Sequence, residues 1–404
     1  MLSAAPRTAA SVLAALVLVM SGAQRAAAAP SVVLVYIPGW AQNPNPSHPK
    51  YFDIAKINLT GVTHTAYAFC QFDAAGNVRD GYGNAALYFS TLRARWPGIK
   101  HLLSVGGGGF STAAWTANTA TPAKRQAFIR ALVTYANSLG ADGIDVDWEF
   151  PGAAEKAVYT TFLQELRTAL DVAGSARGTR LLLSAALPGI VSPMSMDTMG
   201  LDVPAIWPYL DYLNLMTYTM HDPCYWETTT HFHTAWSDCA TALDWFQARG
   251  VPASRLVLGL AAYGHLYTLT NPRQYTYPAP SVESRDCGTM TTVDYRDALR
   301  ELAGSGGKGG VLVHLPEKSA YYVNGNRWLG FDTPQTIWLK RQAALARGVA
   351  GVMLWDATLD VFPGQPILKA MTSDAPVPGP PCGSGFVGTG VCADATQCCS
   401  EFGC

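Results

Sequence analysis

The sequence predicts an α/β protein: a (β/α)8 TIM barrel with a small α+β insertion between strand 7 and strand 8, and a short cysteine-rich C-terminal tail. Three observations predict it. Eight short apolar runs lie between residues 30 and 372, several nearly continuous in Val, Ile and Leu, as strands buried on both faces are. Helical patterns alternate with those runs. A row of acidic residues stands on the fourth run, and this architecture gathers its chemistry at strand ends. An open flavodoxin-like sheet needs fewer strands.

Taken in order, residues 1–28 read as a secretion signal. Arg7 gives a positive start, Ala9 to Met20 is an apolar stretch of twelve residues, and Ala26-Ala27-Ala28 supplies a small-residue cleavage site. That stretch is too short to span a bilayer, so no membrane association is expected after cleavage. The barrel is assigned to residues 29–372. Its strands are expected at Val32–Tyr36, Thr63–Phe69, His101–Val105, Gly143–Phe150, Arg180–Ala186, Tyr212–Met216, Leu256–Leu260 and Gly351–Leu354. Thr121 and Pro122 form an N-cap and first-turn pair. Phe128, Ile129, Leu132, Val133 and Ala136 follow at helical spacing, and Gly140 is the stop. Tyr159 to Gly174 repeats the pattern with Phe162, Leu163, Leu166 and Leu170 on one face. Thr333-Pro334 opens a further helix that Gly348 ends. The seventh and eighth strands are about 90 residues apart, too many for one helix, which places an inserted lobe at 267–328 beside the active-site end.

The proline density of residues 373–381 favours an extended spacer. Five cysteines follow in residues 382–404: Cys382, Cys392, Cys398, Cys399 and Cys404. Cys224 and Cys239 enclose a 14-residue loop and are spaced for a bridge, whereas Cys70 ends an apolar strand and reads as a buried thiol. His231-Phe232-His233 offers two metal ligands without a third, so these are read as loop histidines; no metal and no cofactor is expected. Asn58-Leu59-Thr60 is a glycosylation sequon.

Composition narrows the partners. Of 404 residues, 49% are hydrophobic and 14% charged, with a net charge of −1. This excludes binding of a nucleic-acid backbone through a general basic field, and it excludes disorder. The 11 Trp, 18 Tyr and 14 Phe suit a neutral ligand with flat faces, such as a sugar polymer, and equally a large core.

The most informative segment runs from Asp142 to Phe150. Side chains alternate faces on a strand, so Asp145, Asp147 and Glu149 share one face while Ile144, Val146, Trp148 and Phe150 share the other. The apolar set is expected to meet the helices and the acidic set to face into the barrel. Same-face residues stand about 6.6 Å apart along a strand, so the three carboxyls cannot all ionise freely in a partly dry site. Glu149, nearest the C-terminal end, is the natural general acid. A calcium loop needs Gly at its sixth position, where Phe150 stands instead.

At this point the sequence resembles the family 18 glycoside hydrolases, the chitinases. Asp142, Asp145, Asp147 and Glu149 spell that family's D-x-x-D-x-D-x-E signature. Ser104-Val105-Gly106-Gly107 resembles its S-x-G-G motif and Met216-Thr217-Tyr218 its M-x-Y motif. Tyr263-Gly264 and Gly351 to Trp355 also match, so the likeness spans about Val32 to Asp360. The resemblance implies hydrolysis of chitin or chito-oligosaccharides by a substrate-assisted route in which the N-acetyl oxygen is the nucleophile. Under it Glu149 is the acid and base, Asp147 holds the acetamido N–H, and Asp145 shares a proton with Asp147. Tyr218 hydrogen-bonds the acetamido group, Trp355 is the floor under the reacting sugar, and Asp142 supports from below. Tyr36, Phe69, Ser104 and Met216 line the pocket. The cysteine tail is similar to the first half of a hevein-like chitin-binding module. By that analogy Cys382 pairs with Cys399 and Cys392 with Cys404, and Cys398 lacks a partner.

Two positions depart from the pattern: Thr219 stands where the family usually has Asp, and Gly108 where an aromatic often follows S-x-G-G. The expectation is therefore a secreted, monomeric chitinase. A non-catalytic chitin-binding lectin on the same barrel and an endo-β-N-acetylglucosaminidase acting on N-glycans are the alternatives.

Overall fold

A computed structural model describes residues 31–190, 199–223, 227–282, 292–304 and 310–379. The secretion signal at 1–28, the cysteine tail at 382–404, Cys224 and Cys287 lie outside the described residues.

Eight parallel strands close into a barrel: Val32–Pro38, His64–Phe72, Lys100–Gly106, Gly143–Asp147, Leu182–Pro188, Tyr212–Met216, Leu256–Ala261 and Gly351–Trp355. Each pairs with the next, and the first strand pairs with both the second and the eighth, which leaves the ring without a free edge. An antiparallel strand, Val78–Asp80, is appended to the second. Nearly continuous burial along these strands explains their near-continuous apolar sequence.

The helices form where their caps predict. Helix Pro122–Ser138 starts at Thr121, whose hydroxyl accepts the Lys124 N–H, and ends before Gly140 at φ +67°. Helix Lys156–Ala176 buries Phe162, Leu163, Leu166 and Leu170, and helix Pro334–Ala346 begins on a Thr333–Thr336 capping box. On the outer face of the fourth strand Ile144, Val146 and Trp148 are buried, and Trp148 stacks on Trp115 at 5.0 Å. Burying such a side chain contributes about 1.5–3 kcal/mol, so this layer fixes which face of the strand turns inward.

The insertion is larger than its sequence bounds of 267–328. It is a six-stranded antiparallel sheet that begins at Tyr263, with one residue after the seventh barrel strand, and runs to Phe331, with helix Tyr295–Gly304 packed on it. The barrel strand continues almost directly into the lobe, so no turn signal marks the boundary. Phe232, Tyr267 and Trp328 anchor the lobe's own apolar cluster.

Residues 373–379 dock on the barrel. Arg341 holds the Ser373 carbonyl and the Asp374 carboxylate at 2.9 Å each, and Val377 packs against the main core. Cys70 is a buried free thiol, as its strand position suggests. Cys239, whose expected partner Cys224 lies outside the described residues, is also a buried free thiol, with Sγ 3.7 Å from the Thr234 carbonyl oxygen. Helix Trp236–Gln247 turns that side chain into the core. No helix among the described residues is long and apolar enough to cross a membrane.

Candidate active site

The fourth strand points Asp145 and Asp147 into the barrel, where both are buried. Asp145 accepts four hydrogen bonds: Tyr36 Oη at 2.9 Å and Ser104 Oγ at 2.8 Å on one oxygen, Ser184 Oγ at 2.7 Å and Asn214 Nδ2 at 3.0 Å on the other. Burial raises its carboxyl above the usual range, and these neutral donors oppose the rise. Ser184 and Asn214 were not singled out from the sequence. Their signal is a polar residue inside an apolar strand; Asn214 also shares the parity of Met216 and Tyr218 on its strand.

The strand ends at Asp147, so Glu149 stands just beyond it, half-buried at the barrel mouth. Asp147 and Glu149 are hydrogen-bonded to each other. Burial first, then the neighbouring charges of Glu149 and Asp145, hold the Asp147 carboxyl well above its ordinary value, and burial raises Glu149. Both shifts favour a proton held on the pair over two free charges. Four neutral donors already occupy both oxygens of Asp145. Beyond the strand end alternation lapses, and Phe150, expected on the outer face, instead lines the cleft.

That cleft has a volume of ≈ 670 Å³ and opens between Trp40, Phe69, Glu149, Met216, Tyr218 and Trp355. Trp355 forms its base, with ring centroids 5.6 Å from both Tyr36 and Phe69. Trp40 is 49% exposed at the rim and stacks over Phe69 at 5.9 Å. Sequence reasoning missed Trp40; its signal is a Trp two residues beyond the first strand, on the catalytic end. A flat apolar ring left in water beside a cleft matches the C–H face of a pyranose. Burial holds the Tyr218 hydroxyl well above its ordinary value, so it remains a hydrogen-bond donor. Gly108 leaves the flank of Glu149 open, since a Cβ there would come within 3.3 Å of Oε1. The peptide bonds after Ala68, Glu149 and Trp355 are cis.

Asp142 lies at the opposite end of the strand. Its Oδ2 accepts from Arg93 Nη2 at 3.0 Å and the His101 N–H at 2.9 Å, which ties the third and fourth strands together below the site. Thr219 follows Tyr218 at φ +51° and bonds the Tyr263 hydroxyl at 2.6 Å. Among the described residues, His221, Glu227 and His231 form a grouping with metal-ligand composition. Their geometry does not converge on an ion: the two rings stack at 4.4 Å and 11°, whereas imidazole lone pairs lie in the ring planes. Both nitrogens of His221 face carboxylates, Glu227 at 2.6 Å and Asp238 at 3.2 Å.

The model of Glycosyl hydrolases family 18 matches residues 32–360. A class V chitinase of Arabidopsis thaliana is 30% identical over 323 residues, covering 76% of this chain and 83% of that protein. Among solved structures, a variant of a family 18 chitinase from Cycas revoluta in complex with (GlcNAc)4 is 25% identical, with a TM-score of 0.74 over 84% of this chain and 99% of that one. Human YKL-39, described as a pseudo-chitinase with retained chitooligosaccharide binding, shares the fold at 22% identity, with a TM-score of 0.76 over 85% of this chain and 99% of that one. With the match running through every barrel strand and both paired carboxyls, the chain belongs to glycosyl hydrolases family 18 and is a glycoside hydrolase.

Proposed function

We propose that the protein is a secreted chitinase that cuts β-1,4 linkages between N-acetylglucosamine units with retention of configuration. The observation that carries the proposal is the Asp147–Glu149 carboxyl pair at the mouth of the barrel, in a cleft floored by aromatic rings. A sugar ring lies on Trp355, and its acetamido N–H bonds Asp147. That donor takes the acceptor site on Asp147, so the shared proton resides on Glu149, facing the glycosidic oxygen. The acetamido oxygen attacks the anomeric carbon as the glycosidic bond breaks, and Glu149 gives its proton to the leaving oxygen. An oxazolinium ion forms, whose positive charge the Asp147 carboxylate stabilises and whose oxygen the Tyr218 hydroxyl orients. Glu149, now a carboxylate, takes a proton from water as the water oxygen attacks the anomeric carbon on the face the leaving group vacated, opposite the oxazolinium oxygen, whose bond to that carbon breaks and restores the β-anomer. Asp145 acts on Asp147 through its charge while Tyr36, Ser104, Ser184 and Asn214 hold it still.

Reducing-end release from colloidal chitin, with product anomers read by proton NMR, tests this. The β-anomer is expected first. Glu149→Gln, which cannot donate a proton, is expected to lower kcat by about 10²–10⁴-fold or more. Binding without release in the unaltered protein would make it a lectin. Cleavage of an N-glycoprotein in preference to a fluorogenic chitotriose would move the substrate class.

A further inference from the structure

The tripeptide His231-Phe232-His233 divides between two environments. His231 belongs to the His221–Glu227–His231 grouping already described, whereas His233 is 1% exposed, beneath the corner that follows the sixth barrel strand. Its two nitrogens meet two backbone groups of opposite kind. The Thr219 N–H lies 3.1 Å from Nδ1, and the Tyr263 carbonyl oxygen lies 3.1 Å from Nε2. A backbone N–H only donates and a carbonyl only accepts, so the imidazole is neutral with its proton on Nε2. Burial first, then His265 and Lys340, hold its pKa well below the ordinary value, and His265 stacks against its ring at 4.5 Å and 12°.

The backbone it grips is unusual. Thr219 has φ +51°, a region that L residues with branched side chains adopt only when their surroundings enforce it. Thr219 follows Tyr218 directly, and Tyr263 is the first residue of the inserted lobe, with its ring 6.1 Å from that of Tyr218. The Thr219–Tyr263 hydroxyl contact closes the circuit. From this geometry we infer that His233 is a positioning residue, a tautomer-locked clamp that fixes the Tyr218–Thr219 corner to the root of the lobe and so aims the Tyr218 hydroxyl at the acetamido group. The inference rests on the chitinase reading for the role of Tyr218, but the clamp itself does not.

Two variants and one spectrum test it. His233→Phe keeps a flat ring on His265 and removes both hydrogen bonds; His233→Gln keeps one acceptor and one donor. On fluorogenic chitotriose the Phe variant is expected to lose about 10- to 100-fold in kcat with KM changed by less than about threefold, since Tyr218 aim matters most as the acetamido oxygen attacks. The Gln variant is expected to recover most of that loss. Equal kcat in both variants, or a loss confined to KM, overturns the inference in favour of simple packing. Histidine-selective ¹⁵N NMR of the unaltered protein needs neither substrate nor a folded variant. A neutral His233 protonated on Nε2 is expected across the assay range, and an Nδ1–H form or an imidazolium overturns the clamp. An unaltered protein inactive on chitotriose sinks the chitinase reading and leaves the spectrum to judge the clamp alone.

Discussion

Asp147 is the residue on which burial and charge work against the fold. It is buried with one oxygen, Oδ1, lacking a hydrogen-bond partner, and its carboxyl sits well above its ordinary value. A raised carboxyl pKa favours folding fully below the unfolded value, near 3.9, and loses that advantage as pH rises toward the folded one. Asp147→Asn keeps a donor toward Glu149 without needing a proton. The Tm of the variant should match the unaltered protein near pH 4 and exceed it increasingly toward neutrality, while activity falls. A variant less stable than its parent at pH 7 would contradict this assignment of the proton. Burial of Glu149 and its single shared proton also predict that the alkaline limb of kcat/KM lies above the usual Glu range; a limb near 4.3, the ordinary Glu value, would show an unperturbed acid. At this scale the sequence exposed Asp145, Asp147 and Glu149 because alternation and charge coincide on one strand. It hid Ser184, Asn214 and Trp40, whose roles depend on neighbours distant in the chain.

Strands were legible as elements because double burial writes a continuous apolar run, and helices because Thr121 and Thr333 cap where their side chains accept backbone N–H groups. Their ends were less so. The last rung of the fourth strand is at Asp147, whose carbonyl accepts the Gly107 N–H at 2.8 Å from the turn after the third strand. That turn depends on Gly106, which has φ +107° and whose added Cβ would lie 2.3 Å from the Asp147 carbonyl oxygen. Backbone cannot yield there without moving the catalytic strand end. Gly106→Ala should therefore cost about 1–3 kcal/mol from strained backbone and lower kcat more than it raises KM. Thermal melts and initial rates on chitotriose would check both; an alanine variant with unchanged kcat would separate the turn from the site.

Across the whole molecule the question is what holds the inserted lobe against the barrel, since the lobe carries Tyr263, whose hydroxyl meets Thr219 at the cleft. Its boundary was misplaced from sequence because the seventh strand flows into it without a turn. The tie that sets its position is equally invisible there. Lys340, on the helix before the eighth strand, is buried and reaches both oxygens of Asp332 at 2.6 and 2.7 Å. Its remaining bonds go to Ser319 Oγ at 3.0 Å on the lobe and Thr234 Oγ1 at 2.7 Å, one residue from His233. One ammonium thus joins the lobe, the loop under Thr219 and the barrel helix. Removing only the cation leaves Asp332 buried and unpaired, so Lys340→Met should destabilise by about 3–5 kcal/mol. Replacing both partners, as in Lys340→Met with Asp332→Leu, removes the orphaned charge and should recover much of the stability. The position of the lobe is a separate matter. Apolar contacts have no direction, so the double variant should regain its denaturation midpoint yet bind a long chito-oligomer less tightly than a trimer relative to the parent. Urea unfolding paired with calorimetric binding of the two oligomers reads each quantity apart. If stability and the preference for long chains return together, the ion pair serves the fold alone and the lobe finds its place by packing.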